Sequence, residues 1–190
     1  MEAIMATIYN QSLFSEQGRA LMTVLGQLAP RVMNEVVIPI AVRVQPRYDS
    51  CQLRIYNVPD AKNPQNNELV MLKTFGAEMN RERLHRCTGF NYEKTWRLLL
   101  RRQDRLSWQS KEDGEEIAPS ERKYGGAVRA QAQSSCVVGG GSGFDGLLDE
   151  FAIQALFVEA GLLDASTLRA MIELNQNPHS TEYFTELGIL

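Results

Sequence analysis

The chain has 190 residues, of which 44% are hydrophobic and 23% are charged, and its formal net charge at pH 7 is −3. These values predict one compact domain with a sizeable core, and the mild negative charge favours no polyanionic partner. No apolar run approaches the roughly 20 residues that span a bilayer, and no export signal is recognisable, so we expect a cytoplasmic protein without a membrane span.

The first third of the chain is predicted to form a helix and then a β-hairpin. Apolar residues recur at three- and four-residue spacings between Gln11 and Met33, which indicates an amphipathic helix with Pro30 near its end. The β-branched run Val36–Val44 and the alternating run Cys51–Val58 are typical of two strands joined by a turn. Because Pro39 cannot donate to a ladder, we expect the first strand to be an edge strand or bulged there.

Two helices are expected next, after a surface loop over Pro59–Asn67. They cover Glu68–Met79 and Asn91–Gln103, with Gly89 as the break between them. The segment from residue 81 to 105 contains eight lysines and arginines against three acidic residues. A solvated basic helix face is the simplest interpretation of this segment.

The following segment, Ser107–Lys123, is polar and acidic, and we expect little rigid structure there. Ala127–Gln131 and Cys136–Gly139 are predicted strands, joined by a turn at Gln133–Ser135. From about Gly146 the chain is apolar on nearly every side of a helix, which is typical of a helix that lies in the core or in an oligomer interface.

Helix caps are predicted at the start of the last helices. Ser142 or Asp145 is the expected N-cap of the buried helix, and Asp164 that of a further helix over Ala165–Asn175. The elements together predict an α+β fold with an antiparallel sheet of two hairpins flanked by helices, in profilin-like or PAS-like layering. Residues 1–163 form the predicted single domain, and residues 164–190 form a helical C-terminal extension.

A glycine-rich turn before the buried helix is the main candidate for a binding site. Glycines cluster where the backbone needs positive φ or where something approaches the main chain closely. The turn lacks the G-K-[ST] ending and the G-x-G-x-x-G spacing of nucleotide sites, but a helix N-terminus there can hold an anion such as a carboxylate. The alternative is that the glycines only allow a tight turn. The predicted ligand-binding residues are Gly125, Gly126, Gly139, Gly140, Gly141, Ser142, Gly143 and, from the first loop, Asn66.

A metal site built by protein ligands alone is disfavoured by the composition. The chain has two histidines and three widely spaced cysteines, Cys51, Cys87 and Cys136, without a C-x-x-C pair. His85 is the predicted metal ligand, as the single axial donor that haem requires. The alternative is a surface histidine among arginines.

Two other functional interpretations stay open. Asp149 and Glu150 would serve a small enzyme as paired carboxylates if they lie in an open cleft, or they complement the helix dipole. The basic helix with Phe90, Tyr92 and Trp96 offers charge and stacking surface for single-stranded nucleic acid. The isoelectric point near 5.5 argues against a nucleic-acid partner.

Short motifs in the second half carry a family resemblance. Gly125–Gly126 lead one strand, Val137–Gly140 end the next, and Asp149–Glu150 begin the final helix. This order resembles the GlcG/HbpS-like haem-binding family, with its haem-degrading-type domain, between Gln11 and Gly161. The loop around Asn66 is similar to the region after that family's first hairpin.

The chain departs from the family's pattern in three places. Gly139 replaces the serine of the family's V-S-G-G turn, the turn is longer through Phe144–Gly146, and a tail follows the last helix. The resemblance implies a mixed antiparallel sheet flanked by helices, oligomers, and a pocket for a tetrapyrrole or another small organic ligand near the glycine turn.

The sequence therefore predicts an oligomeric small-molecule-binding module, with haem as the candidate cofactor and a second copy of the chain as the partner. The alternative is a non-enzymatic assembly protein that acts through its buried helix and C-terminal tail.

Overall fold

The computed structural model describes residues 14–100, 105–107, 109, 125–131 and 135–190. In these residues four strands form one antiparallel sheet in the order β2-β1-β4-β3. The strands are β1 (Ser50–Val58), β2 (Glu68–Gly76), β3 (Ala127–Gln131) and β4 (Cys136–Ser142). The helices are α1 (Glu16–Arg31), α2 (Ile38–Val44), α3 (Arg81–Leu100), α4 (Gly146–Glu159), α5 (Ala165–Asn175) and α6 (Pro178–Glu186), with a π-helical segment, Val32–Val37, between α1 and α2. The expected α+β fold is confirmed.

The first hairpin is formed by other segments than those predicted. The run Val36–Val44 is helical, because Met33, Val37 and Ala41 recur every four residues and bury one side of the helix. The partner of β1 is β2, which was predicted as a helix. Packing against the core overrides the local propensity of both segments.

The predicted helix break at Gly89 is also wrong, since α3 runs through it without interruption. A Cβ at Gly89 would meet nothing within 4 Å, so this glycine faces solvent and the helix is held by its opposite, buried side. The predicted end of this helix at Gln103, most of the connection Ser107–Lys123 and the turn residues Gln133–Ser134 lie outside the described residues.

The sheet is enclosed by two helical layers. Helix α3 packs on one face, over β1, β4 and β3, while α4 and the run from α1 to α2 cover the other face. Within the described residues, no helix is long and apolar enough to cross a bilayer.

The C-terminal helices pack against α4 and share its core. Phe151 of α4 lies edge-on to Tyr183 and Phe184, with ring centroids 5.4 and 6.3 Å apart. The prediction that the last long helix is buried is confirmed, and the chain itself covers it. Asp164 caps α5 as predicted, whereas Asp145 rather than Ser142 caps α4 by accepting two N–H hydrogen bonds.

Candidate functional site

Most of the glycine-rich segment is strand rather than turn. Gly139, Gly140 and Gly141 are buried residues of β4. A Cβ added at Gly139 would lie 2.8 Å from the Phe157 ring, and one added at Gly140 would lie 2.5 Å from Thr95 Cγ2. These glycines therefore let α4 and α3 approach β4 closely from its two faces.

The turn itself begins at Gly143. The φ of Gly143 is +150°, and a Cβ there would lie 2.3 Å from the Ser50 carbonyl oxygen. Both features require glycine. Gly143 thus brings the start of α4 against the start of β1.

The close packing brings a lysine and an aspartate into contact from opposite sides of the sheet. Lys94 of α3 and Asp149 of α4 are 2% and 4% exposed, and Lys94 Nζ lies 3.1 Å from Asp149 Oδ2. The ammonium also donates to the Gly125 carbonyl at 3.1 Å. A Cβ at Gly126 would lie 2.8 Å from Lys94 Nζ and 2.6 Å from Asp149 Cβ. Gly126 therefore leaves the space in which this ion pair forms, and Gly125 supplies a carbonyl acceptor to it.

The ion pair also fixes the turn before α4. Asp149 Oδ1 accepts the Phe144 N–H at 3.1 Å, and the Cys51 thiol lies 3.9 Å from the same oxygen. Burial raises the pKa of Asp149, while the Lys94 ammonium opposes that rise. Burial, followed by the nearby Asp149 charge, raises the pKa of the Cys51 thiol. A buried carboxylate of this kind needs its cation and its hydrogen bonds to be tolerated.

A cleft of about 430 Å³ opens beside Gly143. Its wall combines three guanidinium groups with three aromatic rings, and none of the described residues that line it is acidic. The lining residues are Arg47, Tyr48, Arg83, Arg86, Cys87, Phe90, Ser142, Gly143 and Phe144. Ser142 and Gly143 are the two predicted ligand-binding residues that reach the cleft.

Arg83 forms part of the cleft wall, and both terminal nitrogens of its guanidinium donate to other groups of the protein. It donates to Asp49 Oδ1 at 3.0 Å and to the carbonyls of Ser50 and Gly143 at 3.2 Å. The hydrogen bond from Arg83 holds the pKa of the Asp49 carboxyl below its usual value. Because these donors are used within the protein, Arg83 orders the turn at Gly143.

The other two arginines are exposed at the cleft mouth. Arg86 projects from α3, and the Arg47 guanidinium carbon lies 5.7 Å from the Tyr48 ring centroid. Guanidinium groups bind carboxylates and phosphates through paired hydrogen bonds. The cleft is therefore suited to an anionic group attached to an apolar body.

Two predicted site residues lie elsewhere. Asn66 is exposed in the loop that follows Val58, whereas Ser142 pairs with Gln52 near the other end of β1. Gln52 and Val58 are six residues apart along β1, which corresponds to roughly 20 Å. The structure therefore does not bring Asn66 to the glycine turn.

His85 is exposed on a different side of α3 from the cleft. It lines a separate surface pocket with Arg81, Glu82, Leu84 and Thr88. In the described part of the chain, no group of three or more His, Cys, Asp or Glu side chains is placed to hold a metal ion.

The two acidic residues considered for catalysis are both buried. Glu150 is 0% exposed and accepts hydrogen bonds from Gln154, Asn175 and Asn177 at 3.1, 2.9 and 3.4 Å. Burial raises the pKa of Glu150 to about 7, and these side-chain donors oppose the rise. Since neither Asp149 nor Glu150 lies in an open cleft, the geometry gives no support to an enzyme that uses this pair.

Two features of the site were missed in the sequence. In the sequence, Lys94 is one of the eight basic residues between 81 and 105, and its neighbours do not indicate that its side chain is buried. Arg83, Arg86 and Phe90 follow one another at helical spacing, which was an available signal for a shared face. Their partners Arg47 and Phe144 come from distant segments.

Comparison with protein-family models, with curated proteins and with solved structures gives no match to this chain.

Proposed function

We propose that this protein is a small-molecule-binding module that takes an organic anion into the cleft beside Gly143. The observation that carries the proposal is that the guanidinium groups of Arg47 and Arg86 face the same cleft as three aromatic rings. Its volume of about 430 Å³ lies in the usual range for ligand sites, roughly 300 to 1,000 Å³. The arginines would pair with the anionic group, and the rings would pack on the apolar body.

The specific ligand that we propose is a tetrapyrrole dicarboxylate, such as haem. Its two propionates suit Arg47 and Arg86, and its flat macrocycle suits Tyr48, Phe90 and Phe144. The cleft offers recognition of the carboxylates rather than a ligand for iron. His85 lies outside it, and burial raises the pKa of the one cleft sulfur, the Cys87 thiol.

We further propose a cytoplasmic location and a homo-oligomeric state. The three cysteines are free and buried, which supports a reducing compartment. An assembly role through the buried helix and the tail has less support, because α4 and the C-terminal helices pack on each other within the chain. An assembly role needs another surface.

An absorbance titration with haemin tests the ligand proposal. We expect a saturable Soret shift in the wild-type protein and an unchanged shift in His85→Ala. In Arg86→Glu we expect an affinity at least about tenfold weaker, which corresponds to about 1.4 kcal/mol. Arg169→Glu, the same charge reversal at an exposed residue of α5, is the matched control and should bind as the wild type does.

Two outcomes would contradict the proposal. Loss of the shift in His85→Ala with full binding in Arg86→Glu would place the ligand at the His85 pocket. Absence of binding by the wild-type protein, both of haemin and of metal-free protoporphyrin IX followed by its fluorescence, would remove the tetrapyrrole as the ligand.

A further inference from the structure

The two C-terminal helices pack against the rest of the fold through one helix. In the described residues, α4 is the only helix or strand on which α5 and α6 pack closely, and their other contacts with such elements are slight. The Phe151 ring of α4 lies edge-on to the rings of Tyr183 and Phe184 on α6. A unit that packs on a single element can separate from it while the sheet stays folded. We call residues 164–190 the C-terminal unit.

The carboxyl group of Glu150 lies beneath the turn between α5 and α6. Asn175, the last residue of α5, donates from Nδ2 to both Glu150 oxygens at 2.9 Å, and Asn177, the N-cap of α6, donates to Oε1 at 3.4 Å. Between them, Gln176 has a φ of 50°, and among the described residues it is the only one other than glycine with a positive φ. Side chains of this size rarely adopt that conformation. The hydrogen bonds to Glu150 therefore hold an unfavourable turn in place.

The same network continues into α6. Gln154, one turn after Glu150 on α4, donates to Glu150 Oε1 at 3.1 Å and accepts the Ser180 hydroxyl of α6 at 2.5 Å. Glu150, Gln154 and Ser180 are all 0% exposed. The groups that donate to the Glu150 carboxyl are neutral amides. Packing of the C-terminal unit thus removes this carboxyl from water without giving it a cation.

The charged groups around α4 do not compensate Glu150. Within the described part of the chain, none of the ion pairs involves it. Lys94 of α3 has the strongest influence of any charged group on the pKa of Glu150, but its ammonium is paired with Asp149 at 3.1 Å. Arg129 of β3 donates to the Leu98 carbonyl on the α3 face of the sheet.

The remaining charged or titratable side chains near α4 are exposed or half-buried. On α5 and α6 they are Arg169, Glu173, His179, Glu182, Tyr183 and Glu186. On α1 and the π-helical segment they are Glu16, Arg19, Arg31 and Glu35. The ionised form of Glu150 is therefore a buried charge with hydrogen bonds alone, which is unfavourable compared with the same group in water.

We propose that ionisation of Glu150 loosens the C-terminal unit from α4, so that the unit detaches more readily at neutral than at acidic pH. Detachment returns the carboxylate to water and uncovers the Phe151 ring. Burial raises the pKa of Glu150 from 4.5 to about 7 while the unit is attached, and the pKa returns towards 4.5 when the unit is detached. Attachment is therefore strongest below pH 4.5, weakens between pH 4.5 and 7, and changes no further above this range.

This device goes beyond the proposed ligand binding. It uses none of the described residues that line the cleft, so the two proposals can fail separately. It also differs from a loss of global stability, because the sheet stays folded while the C-terminal unit opens.

Native-state hydrogen exchange of the full chain, followed by NMR at low urea concentrations, measures the opening of α5 and α6 separately from that of β1. After correction for the intrinsic pH dependence of exchange, we expect the opening constant of the α5 and α6 amides to rise about 200-fold between pH 4 and pH 8. Glu150→Gln, which represents the protonated form, should change by no more than about twofold over the same range.

A second variant tests the same contact from the other side. Asn175→Asp places another carboxylate against Glu150, and at pH 7 it should raise the opening constant at least about tenfold. The matched control is Asn66→Asp, the same change at an exposed loop residue, which should leave the opening constant as in the wild type.

Three results would overturn the proposal. The first is exchange of α5 and α6 with the same opening constant and urea dependence as β1 at every pH, because the unit would then open only with the whole fold. The second is a wild-type opening constant that does not rise with pH, and the third is a rise that persists in Glu150→Gln. Far-ultraviolet circular dichroism verifies the fold of each variant, and Asn175→Asp remains informative if Glu150→Gln does not fold.

Discussion

Lys94 and Asp149 form an ion pair across the sheet, through the gap that Gly126 leaves at the start of β3. Both side chains are almost fully buried, and Asp149 also accepts the Phe144 N–H at the cleft. The pair thus joins α3, α4 and the turn that lines the proposed ligand site. This close packing is the first explanation for the glycines between Gly125 and Gly143.

Replacing Lys94 by methionine should strongly destabilise the protein. Methionine keeps most of the side-chain volume but leaves Asp149 buried without its cation, and we expect a loss of about 3 to 5 kcal/mol in the free energy of unfolding, measured with urea. Lys73→Met, at an exposed lysine that lies over the Phe75 ring, should lose about 1 kcal/mol or less.

The double variant Lys94→Met/Asp149→Leu should recover part of that loss, because it removes the uncompensated charge as well. Equal destabilisation by Lys94→Met and Lys73→Met would show that the buried pair contributes little.

Gly126→Ala should also destabilise the fold, by about 3 kcal/mol or more. Its φ is +103°, and the new methyl group would lie where Lys94 and Asp149 meet. Gly89→Ala in α3 is the opposite case, because nothing lies within 4 Å of the added Cβ, and it should stabilise the helix by about 0.5 to 1 kcal/mol. Thermal unfolding of the two variants checks the contrast, and a Gly126→Ala protein as stable as the wild type would refute the packing account.

Glu150 should make the protein less stable as the pH rises. Its pKa is raised from 4.5 to about 7 in the folded protein, so below pH 4.5 it is protonated in both states and gives no penalty. Between these values the unfolded chain ionises first, and stability falls by up to roughly 3 kcal/mol. Burial raises the pKa of Asp149 as well, and it acts in the same direction.

Glu150→Gln should therefore flatten the decline in stability between pH 4.5 and 7, and urea unfolding across this range measures it. The control is Glu173→Gln, an exposed acid of α5, which should keep the wild-type pH dependence. A pH dependence that is the same in Glu150→Gln and in the wild type would show that Glu150 is not buried as described.

The local parts of this fold were predictable from the sequence. The strand, turn and buried helix from Cys136 to Glu159 are contiguous, and the aspartates at 145 and 164 are recognisable caps because capping involves only neighbouring residues. The run Val36–Val44 was predicted as a strand and Glu68–Met79 as a helix, whereas the first is helical and the second contains strand β2. Both are short and apolar, and whether such a run is helix or strand depends on what it packs against.

The candidate site was harder to predict than the fold. Its residues come from three separate segments, around Arg47, Arg86 and Gly143, which only the sheet order brings together. The glycine turn was the one local signal, and two of its predicted residues, Ser142 and Gly143, line the cleft. Asn66 was assigned to the same site because of the family resemblance of its loop, but that loop leaves β1 at the end opposite to Gln52 and Ser142.

The most direct test of the account is the dissociation constant of haemin for the wild-type protein and for Arg86→Glu, measured at the same ionic strength. We expect saturable binding by the wild type and an affinity at least about tenfold lower in the variant, since the substitution removes a guanidinium that pairs with a carboxylate and introduces a negative charge that repels it. Equal affinity in the two proteins, or no binding by the wild type, would contradict the proposal that this cleft binds an anionic tetrapyrrole.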